Sequence, residues 1–489
     1  MQNAKSNHKI LYNMKKITLL IIIILSIQIH GITQSCLPNG ISFFTQESID
    51  NFSSNYPTCT EIEGDIWITG DNITNLDGLN VLTIIRGSLE LDFCNTPISL
   101  SGLINLTSIG EDLNFYNNSG LISLAGLENL TIIGRDLNIY ECYNLTSLSG
   151  LQNLTSIGRD VAVMRSNLDS LTGLNKLSSI GGDLWVIQTA LKNLEGLDGL
   201  ICIGGDFHLK SNSSLVDLAG ISNLTNIGGD LVFGPYQGYQ SNTSLINLSG
   251  LGNLVSISGD LKIEENNALI NLSGLDNLRN IGGQLWLKEN EVLTSLNGLN
   301  NLDTIYHGMY LIHNEVITNI SALEKLTVLG YIWIQYSNHL KSLAGIENVN
   351  PALIYKILLT DNDSLSTCEV ESVCSYLELP DAQTTIMNNA QGCSSKTEIE
   401  LACESADIQD LFNNSYFTIS PNPAKNEFFV SSKEGDIINE INIYNQIGQK
   451  VLQEKDKMQK VDISMLSNGL YIVEIVSNNK IRQKLIINK

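Results

Sequence analysis

From Leu100 the chain reads LSGLINLTSIGEDLNF, from Leu124 LAGLENLTIIGRDLNI and from Leu148 LSGLQNLTSIGRDVAV; the phrase returns from Leu272 as LSGLDNLRNIGGQLWL. Idealised, the unit is L-x-G-L-x-x-L-x-x-I-G-G-D-L-x-I-x-x-N-x-x-L. Its L-x-I portion alternates inward apolar and outward positions, the period of a short strand with one buried face. The first apolar residue of that strand falls at Ile66, Leu89, Leu113, Leu137, Val161, Leu184, Phe207, Leu231, Leu261, Leu285, Met309, Ile332 and Ile357. These thirteen positions lie 23–25 residues apart, except for one gap of 30. The Gly-Gly-Asp or Arg-Asp ahead of the strand signals a turn. One unit cannot bury its apolar face alone, so the pattern predicts a stacked, quasi-one-dimensional solenoid. Thirteen rungs at about 4.8 Å each make a rod of about 60 Å.

Within the unit, fixed positions have their own chemistry. The glycine of L-x-G-L, as at Gly102, Gly126 and Gly274, implies a positive φ or a close backbone approach. Five residues beyond the strand start stand Asn118, Asn212, Asn266, Asn290, Asn314 and Asn362. An inward asparagine there can satisfy the backbone of neighbouring rungs. Cys94 and Cys142 take the same site two rungs apart, about 10 Å, too far for a disulfide. Cys202 replaces a serine of the repeat and is expected to be a free thiol. Asp65, Asp112, Asp136, Asp160, Asp183, Asp206, Asp230 and Asp260 each precede a strand. Stacked carboxylates repel, and Asp183, Asp206, Asp230 and Asp260 form a weak candidate calcium ladder. The favoured reading is that Asp is simply a good turn residue, with Arg135 and Arg159 as neighbours.

The four tryptophans, Trp67, Trp185, Trp286 and Trp333, all fall between the two inward residues of their strands, an outward position. Tyr310 takes it between Trp286 and Trp333. The expectation is a contiguous outward stripe with Lys288 and Gln335 beside it, and a smaller pair at Tyr116 and Tyr140. The one length insertion, around Gly234 to Thr243, brings Tyr236 and Tyr239 and is a candidate binding loop.

The two ends differ from the array. Lys15 and Lys16 precede an interrupted apolar run, Ile17 to Ile29, which fits a secretory signal peptide over 1–35, with Met14 as a plausible start. Export permits disulfides. Cys36, Cys59, Cys368, Cys374, Cys393 and Cys403 sit where the ends of a long array need staples, with their pairing open. Cys36 is also a weak candidate for lipidation. A cap is expected over 36–65, the array over 66–403 and a polar linker over 404–415. From 416 to 489 short strands alternate with turns at Pro421-Asn422-Pro423, Gly448 and Asn468-Gly469, the spacing of a small β-sandwich.

Residues 36–403 resemble bacterial receptor L-domain-like repeats, relatives of leucine-rich repeats. That resemblance implies a mainly β, right-handed repeat solenoid of about 13 rungs of ~24 residues. The last 74 residues resemble the C-terminal sorting domain of the type IX secretion system. The matching residues are Ser420-Pro-Asn-Pro-Ala424, Tyr444-Asn-Gln-Ile-Gly-Gln449, Val461-Asp-Ile463, Asn468-Gly-Leu-Tyr471 and the basic end Lys484 to Lys489. The resemblance implies handling by the type IX machinery, delivery to the outer surface or the medium of a bacterium, and a domain open to cleavage there.

Composition narrows the function. Of 28 Lys/Arg and 51 Asp/Glu, residues 36–415 hold 14 and 43, about −29, so the acidity of a chain that carries −23 overall lies in the array. Such a surface disfavours nucleic acid, whose binding needs phosphate-neutralising bases. Six histidines, with no HExxH, P-loop, dinucleotide fingerprint or nucleophile elbow, point away from an enzyme and imply no cofactor. No segment of the mature chain is long and apolar enough for a transmembrane helix. The expectation is a secreted or surface adhesion protein that recognises a glycan or a protein through its aromatic face. A structural spacer and a secreted hydrolase are the alternatives.

Overall fold

The computed structural model describes residues 34–413, 417–432, 438–445, 448–455, 460–477 and 480–489. Residues 1–33 of the expected signal peptide, Met14 among them, lie outside the described residues, as do Gln446 and Ile447 of the C-terminal motif, whereas Gln34 and Ser35 belong to the strand Gln34–Cys36.

All thirteen expected strands form. They lie in a single parallel sheet of fifteen, because Ile41–Phe43 and Thr384–Met387 add a rung at each end. Register is in phase throughout: Leu89 faces Leu113, Leu285 faces Met309 and Met309 faces Ile332. The expected cap is therefore itself a rung, elaborated by helices Gln46–Asp50 and Phe52–Asn55.

A second parallel sheet of thirteen strands runs along the opposite side, and the repeat pattern had not indicated it. Most of its strands are two residues long, such as Ser108–Ile109 and Asn280–Ile281, too short to leave a periodicity. Their isoleucines read simply as further core residues. The core lies between the sheets, and in one rung Leu272, Leu275, Leu278, Ile281, Leu285 and Leu287 are all buried.

The repeated glycine is explained by close packing. A Cβ on Gly102 would lie 1.7 Å from the Leu76 carbonyl oxygen, and one on Gly274 would lie 2.1 Å from that of Leu248. Gly274 adds a φ of +111°, whereas Gly102 has no positive φ. Backbone approach is thus the general requirement, and the left-handed conformation is added in later rungs.

From the Leu89 rung on, the chain turns beyond the sheet strand through a non-glycine residue in the left-handed region, among them Glu265 (φ 56°), Glu289 (55°) and His313 (53°). Such a conformation costs about 1–2 kcal/mol per residue. The following residue, the ladder asparagine, holds it in place. Asn290 Nδ2 donates to the Ile263 carbonyl at 2.9 Å, and its Oδ1 accepts the Asn266 N–H at 3.1 Å. Asn314 repeats the pattern, donating to Leu287 O at 2.7 Å and accepting from Asn290 N at 3.2 Å. All six expected ladder asparagines are fully buried, and Asn242 continues the column beyond the insertion.

Between Asn118 and Asn212 the column lapses into Cys142, Ser166 and Thr189. The Cys142 thiol lies 3.6 Å from the Phe115 carbonyl, so it mimics only the donor half of the amide. Burial pushes that thiol up to about 11. The Ser166 hydroxyl is buried with no partner. Cys94 and Cys142 are free and buried, and Cys202 is free and half-buried.

The six remaining cysteines pair as Cys36–Cys59, Cys368–Cys393 and Cys374–Cys403, one bridge at the first rung and two at the last. The stretch expected as a linker is instead helical: Lys396–Asn413 forms one helix that begins before Cys403. No Pro or Gly interrupts it, and polar composition alone does not distinguish a linker from an exposed helix.

The C-terminal module has a three-stranded antiparallel sheet (Phe417–Ser420, Glu427–Ser432, Lys460–Asp462) and a four-stranded one (Lys450–Lys455, Glu440–Tyr444, Gly469–Val476, Lys480–Ile487). Phe417, Phe428, Val430, Ile443, Val473 and Leu485 form its own core. Lys460–Asp462 pairs with Glu427–Ser432 at the edge of the smaller sheet. Asn422 ties the Pro-Asn-Pro motif to the last strand, donating to Lys484 O at 2.6 Å and accepting from Ile486 N at 2.9 Å. Gly448 closes the turn before Lys450 at φ +74°, and the Tyr471 hydroxyl donates to Ser467 O at 3.0 Å.

Replacing Asn290 by Ala strands one N–H and one carbonyl in the core. The expected loss is about 2–5 kcal/mol by urea denaturation, against less than about 0.5 for the exposed neighbour Asn267→Ala. Equal effects of the two substitutions would contradict a structural ladder.

Candidate functional site

The outer face of the fifteen-stranded sheet presents the candidate residues, and the aspartate column forms one margin of it. Each aspartate Oδ1 accepts the backbone N–H of the same position one rung on: Asp206 N to Asp183 at 2.7 Å, Asp230 N to Asp206 at 2.7 Å, Asp260 N to Asp230 at 2.8 Å. In the rungs from Asp183 to Asp260 a glycine precedes the aspartate, and a Cβ on Gly205 or Gly229 would sit 2.0 Å from the preceding carboxylate oxygen; Glu111, Arg135 and Arg159 stand there in earlier rungs. The second oxygens are engaged too. Asp183 Oδ2 accepts Trp185 Nε1 at 3.3 Å, Asp206 Oδ2 meets His208 Nε2 at 3.3 Å, and Lys262 Nζ bridges Asp230 (2.9 Å) and Asp260 (2.7 Å). Burial opposes ionisation of Asp230, but the Asp260 N–H and Lys262 hold its carboxyl below the usual range. The four carboxylates considered for calcium are thus committed to backbone and side-chain donors. Among the described residues no group of three or more His, Cys, Asp or Glu is arranged to hold a metal ion.

The aspartate column stops at Asp260. Gln284, Gly308 and Tyr331 follow at the same position, and an aromatic cluster fills the space. Trp286, Tyr310 and Trp333 lie side by side in register, as expected. They do not form a flat, open stripe. Tyr310 packs on Trp286 (centroids 4.9 Å, 32° between planes), on Trp333 (5.7 Å, 51°) and on Tyr331 (5.3 Å, 59°), and only 9% of it is exposed. Tyr355 stacks on Tyr331 at 5.4 Å and 6°, and its hydroxyl donates to His307 O at 3.0 Å. Burial and the neighbouring Tyr355 push the Tyr310 phenol up to about 12.

Two glycines make room for this cluster: a Cβ on Gly308 would meet Tyr331, and one on Gly330 would meet Tyr355. Lys356 lies over the Tyr331 ring at 5.9 Å. Of the expected neighbours, Gln335 accepts from Trp333 Nε1 at 3.2 Å and Lys288 pairs with Glu289 at 3.1 Å. Tyr331 and Tyr355 lie outside the strand position that drew attention to the tryptophans. Their signal was the loss of Asp from the turn column.

The other two tryptophans are separate. Trp67 is exposed, with the Phe44 ring set edge-on to it at 5.6 Å. Trp185 stacks on His208 at 4.0 Å. His208 is buried; burial first, then Lys210, lowers its pKa against the pull of Asp206. Of the remaining described histidines, His313 stacks on Tyr336 at 4.3 Å, His307 meets the Tyr306 ring at 5.5 Å and His339 Nδ1 lies 2.7 Å from Glu315 O.

The insertion folds back along the turn edge of the sheet. Tyr236 N donates to Ser211 Oγ at 2.8 Å, and Gln237 Oε1 accepts from Arg165 Nη2 at 3.2 Å across 72 residues of sequence. Between its tip and the rungs beneath lies a cleft of about 270 Å³ lined by Tyr143, Arg165, Ser166, Asn167, Gln188 and Tyr239. Tyr140 borders it, with its hydroxyl bonded to Arg165 at 2.9 Å, and Tyr116 lies beside Tyr140 in the sheet.

Residues 418–488 match the family described as secretion system C-terminal sorting domain. The protein is a type IX secreted or outer-membrane-surface protein with a β-solenoid, and among the described residues no helix is long and apolar enough to cross a membrane. No curated protein matches the chain. Among solved structures, that of InlP from Listeria monocytogenes is similar at 12% identity, covering 92% of this chain and 88% of that one, with a TM-score of 0.13.

His208 makes stability depend on pH. Its folded pKa lies below the unfolded value, so the folded state takes up its proton less readily. Its contribution is complete above about pH 6.5 and is lost as pH falls from there toward the lowered folded value. The urea midpoint should drop between about pH 7.5 and 5.5, and His208→Phe should show a smaller drop. An equal or larger drop in that variant would contradict the assignment.

Proposed function

We propose that the solenoid is a non-enzymatic recognition module, an adhesion protein that binds a protein partner through the aromatic cluster around Tyr310. The observation that carries this reading is the cluster itself: five rings, Trp286, Tyr310, Tyr331, Trp333 and Tyr355, built on the outer face of a sheet whose core does not need them. Its planes are inclined by 32–59° about Tyr310, which suits an irregular protein surface better than the flat face of a polysaccharide. Rigid Trp and Tyr anchors supply much of the energy of protein interfaces. Tyr355 and Tyr306 stay more than half exposed at its edge. The cluster also carries a cost the scaffold does not require, a buried Trp286 indole N–H without an acceptor. A glycan ligand, a ligand-free spacer and a hydrolase are the competing readings. The spacer draws on the fact that the Asn and Asp ladders bond from rung to rung within the array.

The test is binding of the full-length protein to printed arrays of cell-surface and extracellular-matrix proteins and of glycans. The expected result is retention on a protein, weakened about tenfold or more by Trp333→Ala with Tyr355→Ala, with little change in melting temperature. Tyr310→Ala is the wrong probe, because that ring is buried. No retention on any protein, or full retention by the double variant, would refute the proposal.

A further inference from the structure

The insertion has a use that packing alone does not explain. From Ile41 to Ile357 every other rung closes in 23–25 residues and the last rung in 27, whereas this one takes 30. The extra residues form an ordered strap. Gln237 and Gly238 both adopt positive φ (50° and 80°), and Tyr239 N donates to Tyr236 O at 3.0 Å, closing a tight turn of the kind that needs two left-handed residues. A Cβ on Gly238 would meet nothing within 4 Å, so the glycine serves the turn's conformation and not its packing. The strap then reaches back from the rung of Leu231 to that of Val161, three rungs or about 14 Å. Ordering such a loop is an entropic cost, and its core-facing return is small: Tyr239 remains 52% exposed.

What the strap does create is the cleft, and the chemistry of the cleft is specific. Tyr143 and Tyr239, both about half exposed, present ring surface on two of its sides. At its base Arg165 is held from several directions. Its Nε donates to Gln188 Oε1 at 3.1 Å, and its Nη1 donates to Tyr140 O–H at 2.9 Å and to Glu141 at 3.1 Å. Its Nη2 donates to Gln237 at 3.2 Å. Those bonds use four of the five guanidinium N–H groups. One N–H of Arg165, the amide N–H groups of Gln188 and the side-chain carbonyl oxygen of Asn167 have no partner among the described residues. The lining therefore offers donors and an acceptor in fixed positions between aromatic walls, the make-up of a small-ligand site. The Arg165 charge is cancelled by Glu141, and the chain as a whole carries −23. An anion gains little here. A ligand with an apolar ring face and hydroxyls that both donate and accept matches it.

We infer that the cleft under the strap is a binding site for a neutral pyranose, the terminal or internal unit of an uncharged glycan. It rests on the reading of the solenoid as a recognition module but uses none of the aromatic cluster's residues. At about 270 Å³ the cleft is smaller than usual drug-sized sites, which begin near 300 Å³, and takes roughly one sugar ring.

The experiment is saturation-transfer NMR on the full-length protein with the methyl glycosides of glucose, galactose, mannose and N-acetylglucosamine, and with N-acetylneuraminic acid as the charged arm. At least one neutral glycoside should receive saturation and N-acetylneuraminic acid should not. Tyr239→Ala and Tyr143→Ala should each weaken binding about tenfold, whereas Tyr143→Phe and Trp333→Ala should leave it within about threefold. These side chains are exposed, so the variants are expected to fold, and an unchanged melting temperature checks that they do. The inference is overturned if no neutral glycoside is saturated, if the charged sugar binds best, or if both Tyr→Ala variants bind normally. Loss of the signal in Trp333→Ala alone would assign sugar binding to the aromatic cluster and overturn the cleft. Failure of the protein-array test leaves the sugar result untouched.

Discussion

The constraint on which the array depends is the accounting of backbone hydrogen bonds at the turn beyond each strand. Stacking puts a carbonyl and an N–H of successive rungs in the core with no sheet partner, and a buried group left unpaired costs about 1–3 kcal/mol. The carboxamide of asparagine donates to one and accepts from the other, so one residue type closes both. That requirement explains why a polar side chain recurs at a fully buried site and why the residue before it tolerates a left-handed backbone. The aspartates do similar work on the outer margin with a carboxylate oxygen and the N–H of the next rung. Register is thus written twice, once inside and once outside.

The two proposed sites lie where those ladders are relaxed. The aspartate column ends at Asp260, and the aromatic cluster takes its place, with Gly308 and Gly330 clearing the volume. The asparagine column lapses from Cys142 to Thr189, and the strap passes over those same rungs to reach Arg165. In both places a position that serves the scaffold elsewhere has been released for side chains with other chemistry. Delivery to the outside of the cell is assigned to the sorting domain, a separate antiparallel sandwich with its own core.

Repetition made much of this legible. Thirteen strand starts, the glycine and the buried asparagines could be read because each rung samples the same site again. The second sheet could not, since a two-residue strand such as Ser108–Ile109 has no period of its own. The placement of the tryptophans was legible from alternation, but Tyr331 and Tyr355 lie off that position, so the packing that buries Tyr310 was not. The repulsion expected between stacked aspartates assumed free carboxylates, and the N–H groups that hold them are invisible in side-chain letters. The six cysteines were legible as staples, but their pairing depends on which ends meet in space. The direction of the strap depends on a contact 72 residues away, which no local pattern records.

Native-state hydrogen exchange along the array tests the central claim most directly, because it reads the opening of individual rungs. If the carboxamide ladder holds the rungs, amides from Phe207 to Ile312, where the asparagine column is unbroken, should form the most protected block, and those from Leu137 to Leu184 should exchange sooner. Uniform protection along the whole array, or earliest exchange between Leu261 and Met309, would contradict it.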